Sequence, residues 1–126
     1  MVLEESPPRV FKTAWFAKAA TIAHLDDTEL CAAIQQVMRG QAANLGGGVF
    51  KKRLDDNRRR SIVLAKTRRL WVYEYLFAKK DRDNITDDEL AAFRAIAKGY
   101  AALSVAKVIE LIRAKHFVEI CHDDEA

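Results

Sequence analysis

The chain has only two cysteines, two prolines, five glycines and three histidines in 126 residues, and each scarcity closes off a class of protein. Two cysteines do not make the disulfide framework of a small secreted scaffold, and Cys31 and Cys121 lack the short spacing of a metal-ligand pair. Buried free thiols in a reducing compartment are the expectation for them, with one disulfide as the alternative. His24, His116 and His122 are scattered, without the spacing of a metal centre or a catalytic pair, and read as surface residues. No metal and no other cofactor is therefore expected. No apolar run approaches the roughly 18 residues of a membrane span, so no membrane partner is expected either. Met1 to Pro8 carries Glu4 and Glu5 where a secretory leader has a basic and then an apolar segment, which makes the cytoplasm the expected location.

Half of the residues are hydrophobic, which excludes a disordered chain, and the length suits a single domain with its own core. That domain is expected over 1–126, with a flexible tail at 1–8 and an acidic one at 122–126. The net charge is +3, yet the stretch from Lys51 to Arg69 holds nine Lys or Arg against two acids, Asp55 and Asp56. A second basic cluster, Lys79-Lys80-Asp81-Arg82, follows. A surplus of positive charge in one segment of an otherwise acidic chain points to a phosphate-rich partner on one surface.

Hydrophobic periodicity predicts a short strand over Arg9 to Ala14 and a helix from Trp15 to about Leu25. A second helix starts at Asp26 or Asp27, because Asp26 and Glu29 have capping-box spacing and Leu30, Ala33, Ile34, Val37 and Met38 form one face. Gly40 stops it. Asn44 to Gly48 reads as a flexible turn, followed by strands at Val49 to Leu54, Ile62 to Lys66 and Leu70 to Ala78, an antiparallel meander. Along the last strand Trp71, Tyr73, Tyr75 and Phe77 fall on one stripe by alternation. Thr86 to Glu89 is a capping box that opens a helix bearing Leu90, Phe93, Ile96, Tyr100 and Leu103, and Ser104 caps another with Val108, Ile109 and Ile112. Phe117 to Cys121 closes as an edge strand. The fold class is α+β: a small antiparallel sheet, the N-terminal strand plus the three-strand meander, packed against two N-terminal helices and followed by C-terminal helices.

Alternation places Lys51 and Arg53 on one face, about 7 Å apart along the strand, with Arg60 entering the next strand across the hairpin. Lys79, Lys80 and Arg82 leave the third strand of the meander. Together they outline a phosphate clamp, in which guanidinium forks give bidentate contact and lysines give point charge. The competing reading is a solvated sheet edge protected by charge. Gly46-Gly47-Gly48 precedes a strand, so it is a turn and not a phosphate loop, which would precede a helix. The aromatic stripe is either base-stacking surface or packed core. Asp26-Asp27 and Asp87-Asp88 are explained as charge at helix N-termini.

Three segments taken together, Leu45-Gly46-Gly47-Gly48-Val49-Phe50-Lys51-Lys52-Arg53-Leu54, Arg60-Ser61-Ile62-Val63-Leu64 and Tyr75 to Ile85 with its Phe77-Ala78-Lys79-Lys80, resemble the RelE-type toxins of bacterial toxin–antitoxin pairs. The resemblance covers roughly Arg9 to Leu103. It implies a ribosome-dependent messenger RNA endonuclease, metal-independent, that blocks translation and is held inactive by a cognate antitoxin, expected as a small helix-turn-helix protein. Such enzymes let a ribose 2′-hydroxyl attack the adjacent phosphate. Carried over by position, Lys51 is the base, Arg53 and Arg60 hold the charge on the phosphate, and Lys80 or Arg82 meets the leaving 5′-oxygen. Lys52, Arg58, Arg59 and Lys79 would contact RNA. The family's tyrosine beyond the last basic cluster is missing here, where Asn84-Ile85-Thr86 stands, so Tyr73 or Tyr75 is expected to stack the base. A gyrase-inhibiting relative on the same scaffold, or a non-catalytic nucleic-acid-binding module, are the alternatives.

Overall fold

The computed structural model describes residues 7–67 and 69–121. Most of the expected N-terminal tail and the whole acidic C-terminal tail, His122 included, lie outside the described residues. In chain order the elements are β1 (Arg9–Thr13), α1 (Ala14–Ile22), α2 (Asp27–Met38), β2 (Ala43–Gly46), β3 (Val49–Leu54), β4 (Arg59–Lys66), β5 (Leu70–Ala78), α3 (Asp87–Ala101), α4 (Val105–Arg113) and β6 (Phe117–Ile120). The strands form one six-stranded sheet in the order β2-β3-β4-β5-β1-β6.

The sheet is mostly antiparallel, but β1 runs parallel to β5, from Arg9 beside Leu70 to Lys12 beside Tyr73. The N-terminal strand thus sits inside the sheet, between β5 and β6, and not at its edge. The expected turn over Asn44 to Gly48 is shorter, because Ala43 to Gly46 is itself a strand paired with β3. Gly48 has φ +83, and a Cβ there would lie 2.8 Å from the carbonyl oxygen of Ala65, which a side chain could not tolerate.

Capping sets the helix starts. The side chain of Thr13 accepts from Phe16 N at 3.0 Å to open α1, and Asp26 accepts from Glu29 N at 2.9 Å to open α2. Thr86 and Glu89 complete a reciprocal capping box at α3, and Ser104 caps α4.

Alternation along the strands divides the core into two sides. Val10, Val63, Trp71 and Tyr73 pack with Phe16, Leu30, Ile34 and Val37 of α1 and α2. Val49, Ile62, Leu64 and Phe77 pack under α3, and Phe11, Val72 and Phe117 under α4. The architecture is therefore helix layer, sheet, helix layer, with the C-terminal helices covering the face opposite to α1 and α2.

The cysteines correct an expectation. Cys31 on α2 and Cys121 just beyond β6 form a disulfide, with their Cα atoms 5.4 Å apart. Both flank the same apolar cluster, which brings the end of β6 against α2 although 90 residues separate them in sequence. That juxtaposition is tertiary and left no trace in spacing.

Candidate functional site

Register builds the site. Arg53 on β3 stands opposite Arg60 on β4, and Lys51 stands opposite Ile62. One strand further, Arg60 stands opposite Phe77 and Ile62 opposite Tyr75. Directly opposed residues share a face, so Lys51, Arg53, Arg60, Tyr75 and Phe77 all lie on the α3 side of the sheet. The nearer part of that face, from Val49 to Ile62 and Leu64, is the apolar floor beneath α3. The cations begin where that floor ends.

Their environments differ. Arg53 is exposed and Lys51 half-buried, and among the described residues neither side chain makes a hydrogen bond or ion pair. Arg60 is only 5% exposed. Its Nη1 donates to the Asn57 carbonyl at 2.9 Å and more weakly to that of Arg59 at 3.4 Å, which fixes the guanidinium along the strand ends.

The β3–β4 connection supplies that anchor. Asp55, Asp56 and Asn57 have φ of 56°, 51° and 74°, and Arg58 N donates to Asp55 O at 3.0 Å. Positive φ at both central residues matches a type I′ hairpin turn, which Asp and Asn tolerate better than other side chains. The turn is tied to α2 by Asp55 N donating to Glu29 Oε2 at 2.8 Å. Within it Asp55 pairs with Arg58 at 2.9 Å and with Arg59 at 3.5 Å. The Arg58 hydrogen bond, reinforced by both charges, holds the Asp55 carboxyl below the usual range. Arg58 and Arg59 are thus partly neutralised within the protein.

The remaining expected residues separate. Lys79 and Lys80 are exposed and share a surface cleft of about 620 Å³ with Asp56, Asn57, Arg58, Arg59 and Ala78. Lys52 lies on the opposite face, where its Nζ donates to Gln41 O at 3.2 Å; desolvation, with Arg53 adding repulsion, lowers its pKa. Arg82 is already committed. Its guanidinium sits over Phe77 at 5.5 Å, donates to both carboxylate oxygens of Glu89 and to Asn84 O at 3.0 Å, and reaches the Tyr75 hydroxyl at 3.5 Å. It clamps the β5–α3 loop to the capping box of α3. Of the two residues considered for the leaving group, Lys80 has the freer side chain.

Tyr73 corrects another expectation. It is fully buried, and its hydroxyl donates to Leu30 O at 2.7 Å, so no base can stack on it. The aromatic stripe is broken by a β-bulge: Ile62 opposes Tyr75 and the adjacent Val63 opposes Tyr73, leaving Glu74 as the extra residue. Trp71 and Tyr73 consequently point to α1 and α2, while Tyr75 and Phe77 point to α3. The Glu74 carboxylate accepts from the Tyr100 hydroxyl at 2.7 Å, and its burial raises its pKa.

Two participants had no sequence signature. Glu89 was read as a capping residue alone, although it also anchors Arg82. Trp15, read as the start of a helix, is exposed and stacks on Tyr75 at 5.2 Å between ring centroids. Among the described residues no group of three or more His, Cys, Asp or Glu is placed to hold a metal ion, and no helix is long and apolar enough to cross a membrane.

An α+β sheet with a row of cations beside the C-terminal helix layer defines a small basic protein suited to phosphate contact. The chain belongs to the RelE toxin family: the family described as RelE toxin of RelE / RelB toxin-antitoxin system matches residues 8–120. The protein is accordingly the toxin of a toxin–antitoxin system, and a cognate RelB-type antitoxin is its partner. Neither the curated proteins nor the solved structures give a match.

Proposed function

We propose that this toxin is a ribosome-dependent messenger RNA endonuclease that acts in the cytoplasm, needs no metal, and arrests translation. The observation that carries the proposal is the sharing of one sheet face by Lys51, Arg53 and Arg60, the last two directly opposed on adjoining strands. RNA brings its own nucleophile, so the protein has to accept a proton, offset charge on the phosphate and align the groups for in-line attack. Lys51, acting as the free amine, takes the proton of the 2′-hydroxyl, whose oxygen bonds to phosphorus as the bond to the 5′-oxygen breaks. Arg53 and Arg60 hold the charge developing on the non-bridging oxygens, and Lys80 gives a proton to the departing 5′-oxygen. The products are a 2′,3′-cyclic phosphate and a 5′-hydroxyl.

Pre-anchoring supports this assignment for Arg60. A guanidinium already fixed by the Asn57 carbonyl loses little freedom on meeting a phosphate, whereas exposed Arg53 and half-buried Lys51 supply charge that remains free for substrate. The antitoxin, a small helix-turn-helix protein in this reading, would silence the toxin by covering the cationic face.

The test is to add purified toxin to translating ribosomes and map messenger ends. New ends bearing cyclic phosphate, lost with Lys51→Ala and with Arg53→Ala in folded protein, are the expected result. Intact messenger alongside failing DNA replication on induction would instead identify a gyrase inhibitor, and intact messenger with salt-dependent binding a non-catalytic module.

A further inference from the structure

The β5–α1 junction holds an aromatic surface that the proposed cleavage does not use. β1 pairs with β5 only as far as Lys12 beside Tyr73, and the chain then turns directly into α1. This leaves the second half of β5 bordered by the first turn of the helix. Trp15 there is 52% exposed, one of the few large apolar side chains left in solvent. Its indole lies against Tyr75 at an interplanar angle of 26°. Tyr75 in turn contacts Phe77 at 5.7 Å and Phe93 at 5.8 Å, so Trp15 is the open end of a braced aromatic series. One indole face is covered by Tyr75, and the exposure of the residue leaves the other accessible.

Cations lie close to it. Trp15 lines a cleft of about 380 Å³ together with Arg59, Arg82 and Asp81, the arginines being partly paired with Asp55 and Glu89. Arg59 and Ala78 also line the neighbouring cleft of Asp56, Arg58, Lys79 and Lys80, so the two clefts share a wall. A braced, half-exposed ring at the end of a cationic groove is how single-stranded nucleic acid is held, bases on aromatic faces and phosphates on cations. β5 lies two strand spacings, about 10 Å, from the row of Lys51 and Arg53, with Trp15 on its far side, at the start of a helix that packs on the other face of the sheet.

We infer that Trp15 is a base-stacking residue: it holds an unpaired RNA base flanking the linkage to be cut, while Lys79, Lys80 and Arg58 hold the neighbouring phosphates. The inference rests on the RNA-cleavage reading, and supplies the stacking surface expected of Tyr73, which the core has consumed. An acidic protein segment is the other occupant such a groove accepts, but a cation trail that continues away from the ring is matched better by a phosphate backbone.

The two tryptophans make the test direct. Trp71 is 2% exposed, so a change of indole emission on binding reports Trp15. The probe is a short single-stranded 2′-O-methyl RNA, which binds but has no nucleophile to be cut. Stacking should quench the emission of the full chain. Trp15→Leu, which keeps apolar bulk, should abolish quenching and weaken binding about tenfold, and Trp15→Tyr should restore affinity to within about threefold of wild type. On ribosomes Trp15→Leu should slow cleavage at unchanged melting temperature.

Unchanged emission with RNA, or equal affinity of wild type and Trp15→Leu, overturns the inference. Quenching by acidic peptides of the antitoxin but not by RNA overturns it in favour of a protein-docking groove. Failure of the cleavage reading is separate: wild-type toxin that quenches with RNA yet leaves messenger intact on ribosomes removes the nuclease and keeps the stacking site.

Discussion

Arg53 and Arg60 oppose each other across β3 and β4, two like charges at a position where cross-strand partners ordinarily attract. Like charges so placed destabilise a sheet, by an amount comparable to the roughly 0.2–1 kcal/mol of a favourable pair. A cost of this kind at an exposed arginine makes sense if something outside the chain uses the charge.

The pair therefore predicts opposite effects on stability and activity. Arg53→Ala should leave stability unchanged or raise it by up to about 1 kcal/mol, while lowering cleavage on ribosomes by roughly 10²-fold. Arg60→Ala differs, because Arg60 is buried and bonded to the turn; it should cost about 1–3 kcal/mol through its lost hydrogen bonds and packing. Urea denaturation beside mapped messenger ends measures both. Loss of stability in Arg53→Ala equal to that in Arg60→Ala would sink the distinction.

How much of this was written in the sequence depends on the range of the interaction. Capping residues act within a turn of helix, so Asp26, Thr86 and Ser104 marked their helices correctly. Val49 to Leu54 and Leu70 to Ala78 were legible from β-rich patterning to the residue. β2 was hidden because Ala43-Asn44-Leu45-Gly46 has turn composition and becomes a strand only by pairing with β3. The parallel partnership of β1 and β5 and the meeting of Cys31 with Cys121 are long-range and have no local mark. At the site, alternation put Lys51 and Arg53 on one face, but the single extra residue Glu74 moved Tyr73 and Tyr75 to opposite faces, which periodicity alone does not foresee.

Glu89 gives the loop a pH dependence. The hydrogen bonds from Arg82, and then the Thr86 backbone N–H, hold its carboxyl at about 2 against an ordinary 4.5. A depressed carboxylate contributes stability that is present in full above the unfolded value and is lost as pH falls through the folded one. The wild type should accordingly lose this contribution between about pH 4.5 and 2, whereas Glu89→Gln should lack it at neutral pH and converge with wild type near pH 2. Thermal melts across that range test it, and parallel curves for the two proteins would exclude the clamp as the source.

The disulfide makes stability depend on redox state. Closing a loop of 90 residues restricts the unfolded chain, an effect of about 2–4 kcal/mol in typical cases. Reductant should lower the melting temperature of the wild type and leave Cys31→Ser and Cys121→Ser unchanged, both melting with the reduced protein. In a reducing cytosol the two thiols would lie adjacent and unbridged. A melt indifferent to reductant, with both thiols titrating freely in the native state, would contradict the bond.

Tyr73 and Tyr75 are two positions apart, yet the bulge gives them unrelated tasks. The Tyr73 hydroxyl is buried against the Leu30 carbonyl, which also serves the backbone of α2, so Tyr73→Phe removes one hydrogen bond at a cost of about 0.5–1.5 kcal/mol, without touching RNA. Tyr75 supports Trp15 from beneath and receives a hydrogen bond from Arg82. Tyr75→Leu should therefore weaken RNA binding and slow cleavage several-fold, with a smaller loss of stability because the residue is only half-buried. Urea midpoints and binding of the 2′-O-methyl RNA, measured on both variants, should cross: Tyr73→Phe the less stable but fully binding, Tyr75→Leu the more stable but weakly binding. Equal binding defects in the two would mean that the bulge does not separate core from site.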